Sequence, residues 1–82
     1  MILVDIYVPS LDAAYDFQLD ENTPVKALTV EIGEMLGKKY KAVPDQERQR
    51  FVLCSYEQKA ILPSEKTLYM CGIRSGSRLL LV

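Results

Sequence analysis

The residues able to do chemistry in this 82-residue chain are few, and their spacing does not suit catalysis. There is no histidine, which removes the usual general base, and no Ser or Cys stands in a nucleophile motif. Cys54 and Cys71 lie 17 residues apart, and without histidine they do not supply the four ligands of a structural zinc site. They are expected to be reduced, buried, and to act as small apolar side chains. Gly72 and Gly76 are too closely spaced for a phosphate loop, and neither a Walker loop nor a dinucleotide fingerprint occurs. The acid pair Asp45 and Glu47 falls in a polar stretch expected to be solvated loop. The expectation is a chain with no catalytic residue, no metal ligand set and no cofactor.

What remains is the chemistry of surfaces. Ten Lys/Arg against eleven Asp/Glu give a net charge of −1, which offers no overall pull toward nucleic acid or an anionic membrane. The charges are unevenly placed. Residues 1–25 carry five acids (Asp5, Asp12, Asp16, Asp20, Glu21) and no base, whereas residues 26–82 carry ten bases and six acids, a surplus of four. Five of those bases, Lys38, Lys39, Lys41, Arg48 and Arg50, cluster in one polar stretch and form a secondary candidate site for an acidic partner. Tyr40 is the only aromatic inside that cluster, which argues against nucleic acid.

The elements that position these residues follow from periodicity. Ile2, Val4, Ile6 and Val8 alternate with Leu3, Asp5 and Tyr7, the period of a strand with one buried face. Pro9 to Asp12 reads as a turn, and Tyr15, Phe17 and Leu19 alternate in a second strand, so the two form a hairpin. Thr23 and Pro24 read as a helix cap and first turn, and Val25, Leu28, Ile32 and Leu36 give an amphipathic helix of about 13 residues with Gly37 as C-cap. A surface loop over 38–50 leads to a short strand over 51–54. A turn over 55–59, a shorter strand over 60–62 stopped by Pro63, and a one-turn helical connector over 64–69 follow. Two glycine turns precede a last strand from Arg78 to Val82. A sheet and a helix each need cover for one apolar face, so the helix must pack on one side of a mixed sheet.

This order resembles the ubiquitin-like β-grasp fold: α+β, a mixed sheet of four to five strands with one helix on one face. "VPDQERQRFVL" (43–53) and "ILPSEKTLYMCGIRSGSRLLLV" (61–82) are similar to the corresponding parts of ubiquitin. A closer resemblance is to the YukD/EsaB family, small ubiquitin-like proteins of bacterial type VII (WXG100/ESAT-6) secretion. "TPVKAL" (23–28) resembles that family's helix start. "LYMCGIRSGSRLLLV" (68–82) resembles its Leu-x-x-Cys-Gly-Ile-x-x-Gly-Asp-Arg-Leu ending, with Ser77 where the family commonly has Asp. The resemblance covers nearly the whole chain, and a length of 82 residues leads to the expectation of one domain, 1–82.

It also implies a cytoplasmic accessory component or regulator of the secretion machinery, peripheral at the membrane through a protein partner. That partner would be a membrane-anchored subunit or the secretion ATPase. Conjugating relatives and sulfur carriers end in a flexible Gly-Gly tail; here Leu81-Val82 stands at the end and no glycine follows Gly76, so conjugation is not expected. Met1-Ile2-Leu3-Val4 runs straight to Asp5 without a signal-peptide start, and no apolar run of about 18 residues offers a membrane span.

In a β-grasp sheet the last strand lies between the first and third. If Leu79 and Leu81 point inward, Leu80 and Val82 point out, as do Leu3 and Tyr7 on the first strand and Val52 and Cys54 on the third. Leu3, Tyr7, Val52, Leu80 and Val82 are therefore the candidate protein-binding residues, expected to adjoin on the face opposite the helix. A second copy of the chain is the alternative occupant.

Overall fold

The computed structural model describes residues 1–39 and 51–82, and the backbone alone at Lys39. Among the described residues, five strands and one α-helix follow in the order β1 (Ile2–Val8), β2 (Ala13–Leu19), α1 (Val25–Lys39), β3 (Leu53–Ser55), β4 (Ala60–Ile61) and β5 (Arg78–Leu81). A single 3-10 turn, Pro9–Leu11, joins the first two strands and ends at Asp12 in the left-handed region. The sheet order is β2-β1-β5-β3-β4, which is the expected placement of the last strand between the first and third. β1 and β5 run parallel, and the other pairs are antiparallel. A parallel pair cannot be closed by a hairpin, so everything from β2 to the connector forms the crossover that carries α1 onto one face.

The alternation read from the sequence holds on both sides of the core. Ile2, Val4, Ile6 and Val8 of β1 are buried, as are Phe17 and Leu19 of β2, Leu53 of β3, and Leu79 and Leu81 of β5. From the other side, Val25, Leu28, Ile32 and Leu36 of α1 complete the same apolar cluster, joined by Leu62, Leu68 and Ile73. Cys71 packs against this cluster half-buried, and Cys54 is half-buried on β3; both are free thiols, less enclosed than expected.

The helix start differs from expectation. Thr23 does not cap: its hydroxyl donates to the Asp20 carboxylate at 3.1 Å, which also accepts the Asn22 N–H at 2.9 Å. The first helical amides are met instead by backbone from the distant connector, Val25 N–H to the Lys66 carbonyl at 2.8 Å and Lys26 N–H to the Ser64 carbonyl at 3.0 Å. Pro24 lies just before the helix, and its carbonyl accepts the Leu28 N–H. The connector over 64–69 is a run of turns, not a helical turn, because its carbonyls are committed to α1. Nor does Gly37 end α1, which continues to Lys39 with Gly37 buried. Burial against the core favours helical continuation over the left-handed cap that glycine permits.

Two hydrogen bonds hold the Asp20 carboxyl below its ordinary value of 3.8, the Asn22 N–H first and the Thr23 hydroxyl second. The bond from the Met1 ammonium, 2.9 Å from Glu21, holds Glu21 below its ordinary 4.5. A carboxyl with a lowered folded-state pKa contributes stability above its unfolded value and loses it as pH falls through the folded one. The urea midpoint is thus expected to be level from neutral pH down to about 5, then to drop as acidity passes 4.5 and 3.8. Asp20→Asn, which keeps an acceptor without a titrating charge, should flatten part of that drop.

Gly72 (φ +78°) and Gly76 (φ +92°) sit where an L side chain is strained. A Cβ at Gly76 would meet nothing within 4 Å, so the cost of Gly76→Ala is conformational and not steric. It is expected to be about 1 to 2 kcal/mol by urea titration. A similar loss at Gly72, where the nearest atom is 3.8 Å away, would confirm the same cause.

Candidate protein-docking face

The face opposite α1 is organised by strand register. Tyr7 of β1 pairs with Ala14 of β2 on one side and Leu80 of β5 on the other; Leu80 pairs with Cys54 of β3, and Cys54 with Ile61 of β4. Residues in register on adjacent strands share a face, so Ala14, Tyr7, Leu80, Cys54 and Ile61 form one row across all five strands. With strands about 4.8 Å apart, the row spans roughly 19 Å. Val52 and Val82 extend it, held together by reciprocal backbone bonds of 2.7 and 2.9 Å. Tyr7, Val52 and Val82 are exposed, and Leu80 and Cys54 half-buried.

Two shallow hollows mark this row. One, of about 240 Å³, is lined by Asp5, Tyr7, Ala14, Tyr56, Arg78 and Leu80. The other, of about 390 Å³, lies beyond Leu80 among Cys54, Tyr56, Lys59 and Ile61. Leu80 and Tyr56 line both, so they form the ridge between two depressions that would each take an apolar side chain.

The Tyr7 ring is fixed in place by its hydroxyl, which donates to Asp12 Oδ1 at 2.7 Å. That bond first, then desolvation and the nearby Asp12 charge, raise the Tyr7 pKa above its ordinary value. Beside the apolar row runs a charged one, Asp16, Asp5 and Arg78 in register. The Arg78 guanidinium lies 5.3 Å from the Tyr56 ring centroid and 4.0 Å from the Glu57 carboxylate, and both Glu57 oxygens accept the Arg78 N–H at 3.1 Å.

Four of the five expected residues therefore adjoin: Tyr7, Val52, Leu80 and Val82. Leu3 is exposed on the same face but pairs with Gln18, with the Asp16–Asp5–Arg78 row between it and Tyr7. Ile61, 67% exposed, belongs to the row and was not anticipated. Counting back through the turn from Ala60 opposite Ser55 would have placed it opposite Cys54. Of the basic cluster, Lys38 is exposed near the end of α1; the side chain of Lys39, and Lys41, Arg48 and Arg50, lie outside the described residues. Among the described residues no three His, Cys, Asp or Glu side chains converge on a metal position. None of the described helices is long and apolar enough to cross a membrane.

The profile of the WXG100 secretion system protein YukD matches residues 3–81. This chain belongs to the YukD family. It is thereby a ubiquitin-like protein associated with type VII secretion. Solved structures agree on the fold of this YukD-family chain. The N-terminal ubiquitin-like domain of the 4931431F19Rik protein superposes with a TM-score of 0.69 at 25% identity, over 99% of this chain and 72% of that one. The ubiquitin-like domain of Arabidopsis thaliana protein At2g32350 gives 0.70 at 20% identity, over 99% and 74%. Caldiarchaeum subterraneum ubiquitin gives 0.72 at 17%, over 98% and 89%. No curated protein matches.

Proposed function

We propose that this YukD-family chain is a non-catalytic, non-covalent docking module of a type VII secretion system, an accessory component or regulator. It acts in the cytoplasm, peripheral at the membrane through a membrane-anchored subunit or the ATPase of the same machinery. The observation that carries this reading is the row Ala14–Tyr7–Leu80–Cys54–Ile61, apolar side chains in register across all five strands on the face that α1 leaves uncovered. A rigid sheet offers such a row without ordering cost, which favours binding over flexible presentation.

The test is calorimetric titration of purified cytosolic portions of the machinery's membrane subunits and ATPase, with the wild type and with Leu80→Asp, Val82→Asp. Binding to one component that the folded double variant loses is the expected result. Equal binding by both would remove the face from the function. Incubation with a ubiquitin-type activating enzyme and ATP should leave the intact mass unchanged; an adduct would overturn non-covalent action.

A further inference from the structure

The two edges of the sheet are built differently. The β4 edge is two residues long, preceded by Lys59 in the left-handed region and followed closely by Pro63, devices that blunt an edge against further pairing. The β2 edge has seven residues in unbroken register with β1 and contains no Lys, Pro or bulge.

The direction of its backbone groups follows from β1. Gly76 N–H donates to the Leu3 carbonyl at 2.8 Å and Asp5 N–H to the Ser77 carbonyl at 3.1 Å, so the odd-numbered residues of β1 turn their backbone toward β5. Its even-numbered residues turn toward β2, where their register partners are Ala13, Tyr15, Phe17 and Leu19. The N–H and C=O groups of Ala14, Asp16 and Gln18 therefore point away from the sheet. Among the described residues no hydrogen bond reaches them.

The side chains along this edge state what would fit. Asp16 faces Asp5 directly across β1 and β2, a like-charge pair that is unfavourable as it stands. Arg78, in register with Asp5 on the far side, is held by Tyr56 and Glu57. A basic side chain on an added strand would lie beside Asp16 and relieve the pair. An inward residue of the added strand would lie on the α1 side of the sheet, beside the buried Phe17 and Leu19 of β2, which favours an apolar side chain there. A second copy fits poorly, because the antiparallel register that engages Ala14, Asp16 and Gln18 together sets Asp16 opposite Asp16.

We propose that the β2 edge binds an extended segment of a partner protein in which basic and apolar residues alternate, added as a sixth strand beside β2. This surface offers backbone groups where the apolar row offers side chains, and the two meet at Ala14.

The probe is a ten-residue peptide of alternating Lys and Val, titrated into the isotope-labelled protein with amide hydrogen exchange read by NMR. Exchange is expected to slow at Ala14, Asp16 and Gln18, while Ala13, Tyr15 and Phe17, already bonded to β1, stay as they were. Asp16→Lys should weaken binding by about tenfold or more, the loss of one charge-assisted contact replaced by repulsion. Gln18→Pro removes an N–H that β1 does not use, so the protein should stay folded by circular dichroism yet bind less well. Methylation of the peptide's alternate amides should abolish binding, and Leu80→Asp should leave it intact. Unchanged exchange at the three amides, or undiminished binding by Asp16→Lys, would overturn the proposal. So would protection of the same amides by self-association without peptide, since the occupant would then be a second copy.

Discussion

Leu79→Ala is expected to lower the stability of this protein by about 3 kcal/mol. Leu79 is 1% exposed on β5, the central strand, where its register partners are Ile6 on β1 and Ser55 on β3. Both neighbouring strands are held to β5 by ladder bonds, and α1 closes the site from above with Leu28, Ile32 and Leu36 in the same cluster. None of these walls can move inward without breaking backbone pairing, so the vacated volume stays largely open and the loss belongs in the middle of the Leu→Ala range or above. A domain of this size has a total stability of roughly 5 to 10 kcal/mol. The change should therefore lower the melting temperature by roughly 15 °C. Leu3→Ala, on an exposed residue of β1, should fall within about 0.5 kcal/mol. If both variants melt together, Leu79 does not pack as described.

The contrast between those two residues was legible in the sequence, because a period of two assigns faces whatever the strand's neighbours are. Ile2 to Val8 and Leu79 to Val82 needed only alternation. The helix termini were not legible in the same way. Thr23 and Gly37 carry strong local signals, yet Lys66 and Ser64 carbonyls cap the helix and burial keeps Gly37 helical. Those outcomes depend on chain nearly forty residues away, which no local pattern encodes. The docking face was half legible for a related reason. Which residues point outward follows from one strand at a time, but which of them adjoin depends on register between strands. Leu3 faces the same way as Tyr7 and is still cut off by Asp5, Asp16 and Arg78, while Ile61, on a strand of two residues, completes the row.

The face and the edge share one feature of the chain, the acidic first 25 residues. Asp5, Asp12 and Asp16 all lie on or beside the outer surface of the hairpin: Asp12 anchors Tyr7, and Asp5 lines the hollow next to Leu80. A partner whose apolar side chains enter the two hollows must therefore bring basic groups on its hairpin side. Such a pairing raises the association rate more than the final affinity and weakens with salt.

Leu80→Asp is expected to weaken binding of the proposed secretion partner by about 30-fold or more, the equivalent of roughly 2 kcal/mol at a central hot spot. Leu80 is the one side chain shared with Tyr56 by both hollows, and it stands in the middle of the row with Tyr7 and Cys54 as its register partners. An aspartate there removes the ridge that both apolar anchors would pack against. It also places a charge that must be desolvated on binding, next to Asp5. The fold should tolerate the change, because the side chain points away from the core and only strand propensity, about 1 kcal/mol, is lost. Ala27→Asp is the control: Ala27 is exposed in the first turn of α1, the element that covers the other face of the sheet, and it lines neither hollow. Calorimetric titration should find Ala27→Asp equal to wild type and Tyr7→Ala weakened along with Leu80→Asp, since Tyr7 is already fixed by Asp12 and enters the complex without further ordering. Loss of binding in Ala27→Asp with none in Leu80→Asp would move the docking surface to the helix, and the apolar row would then have to be explained by something other than this partner.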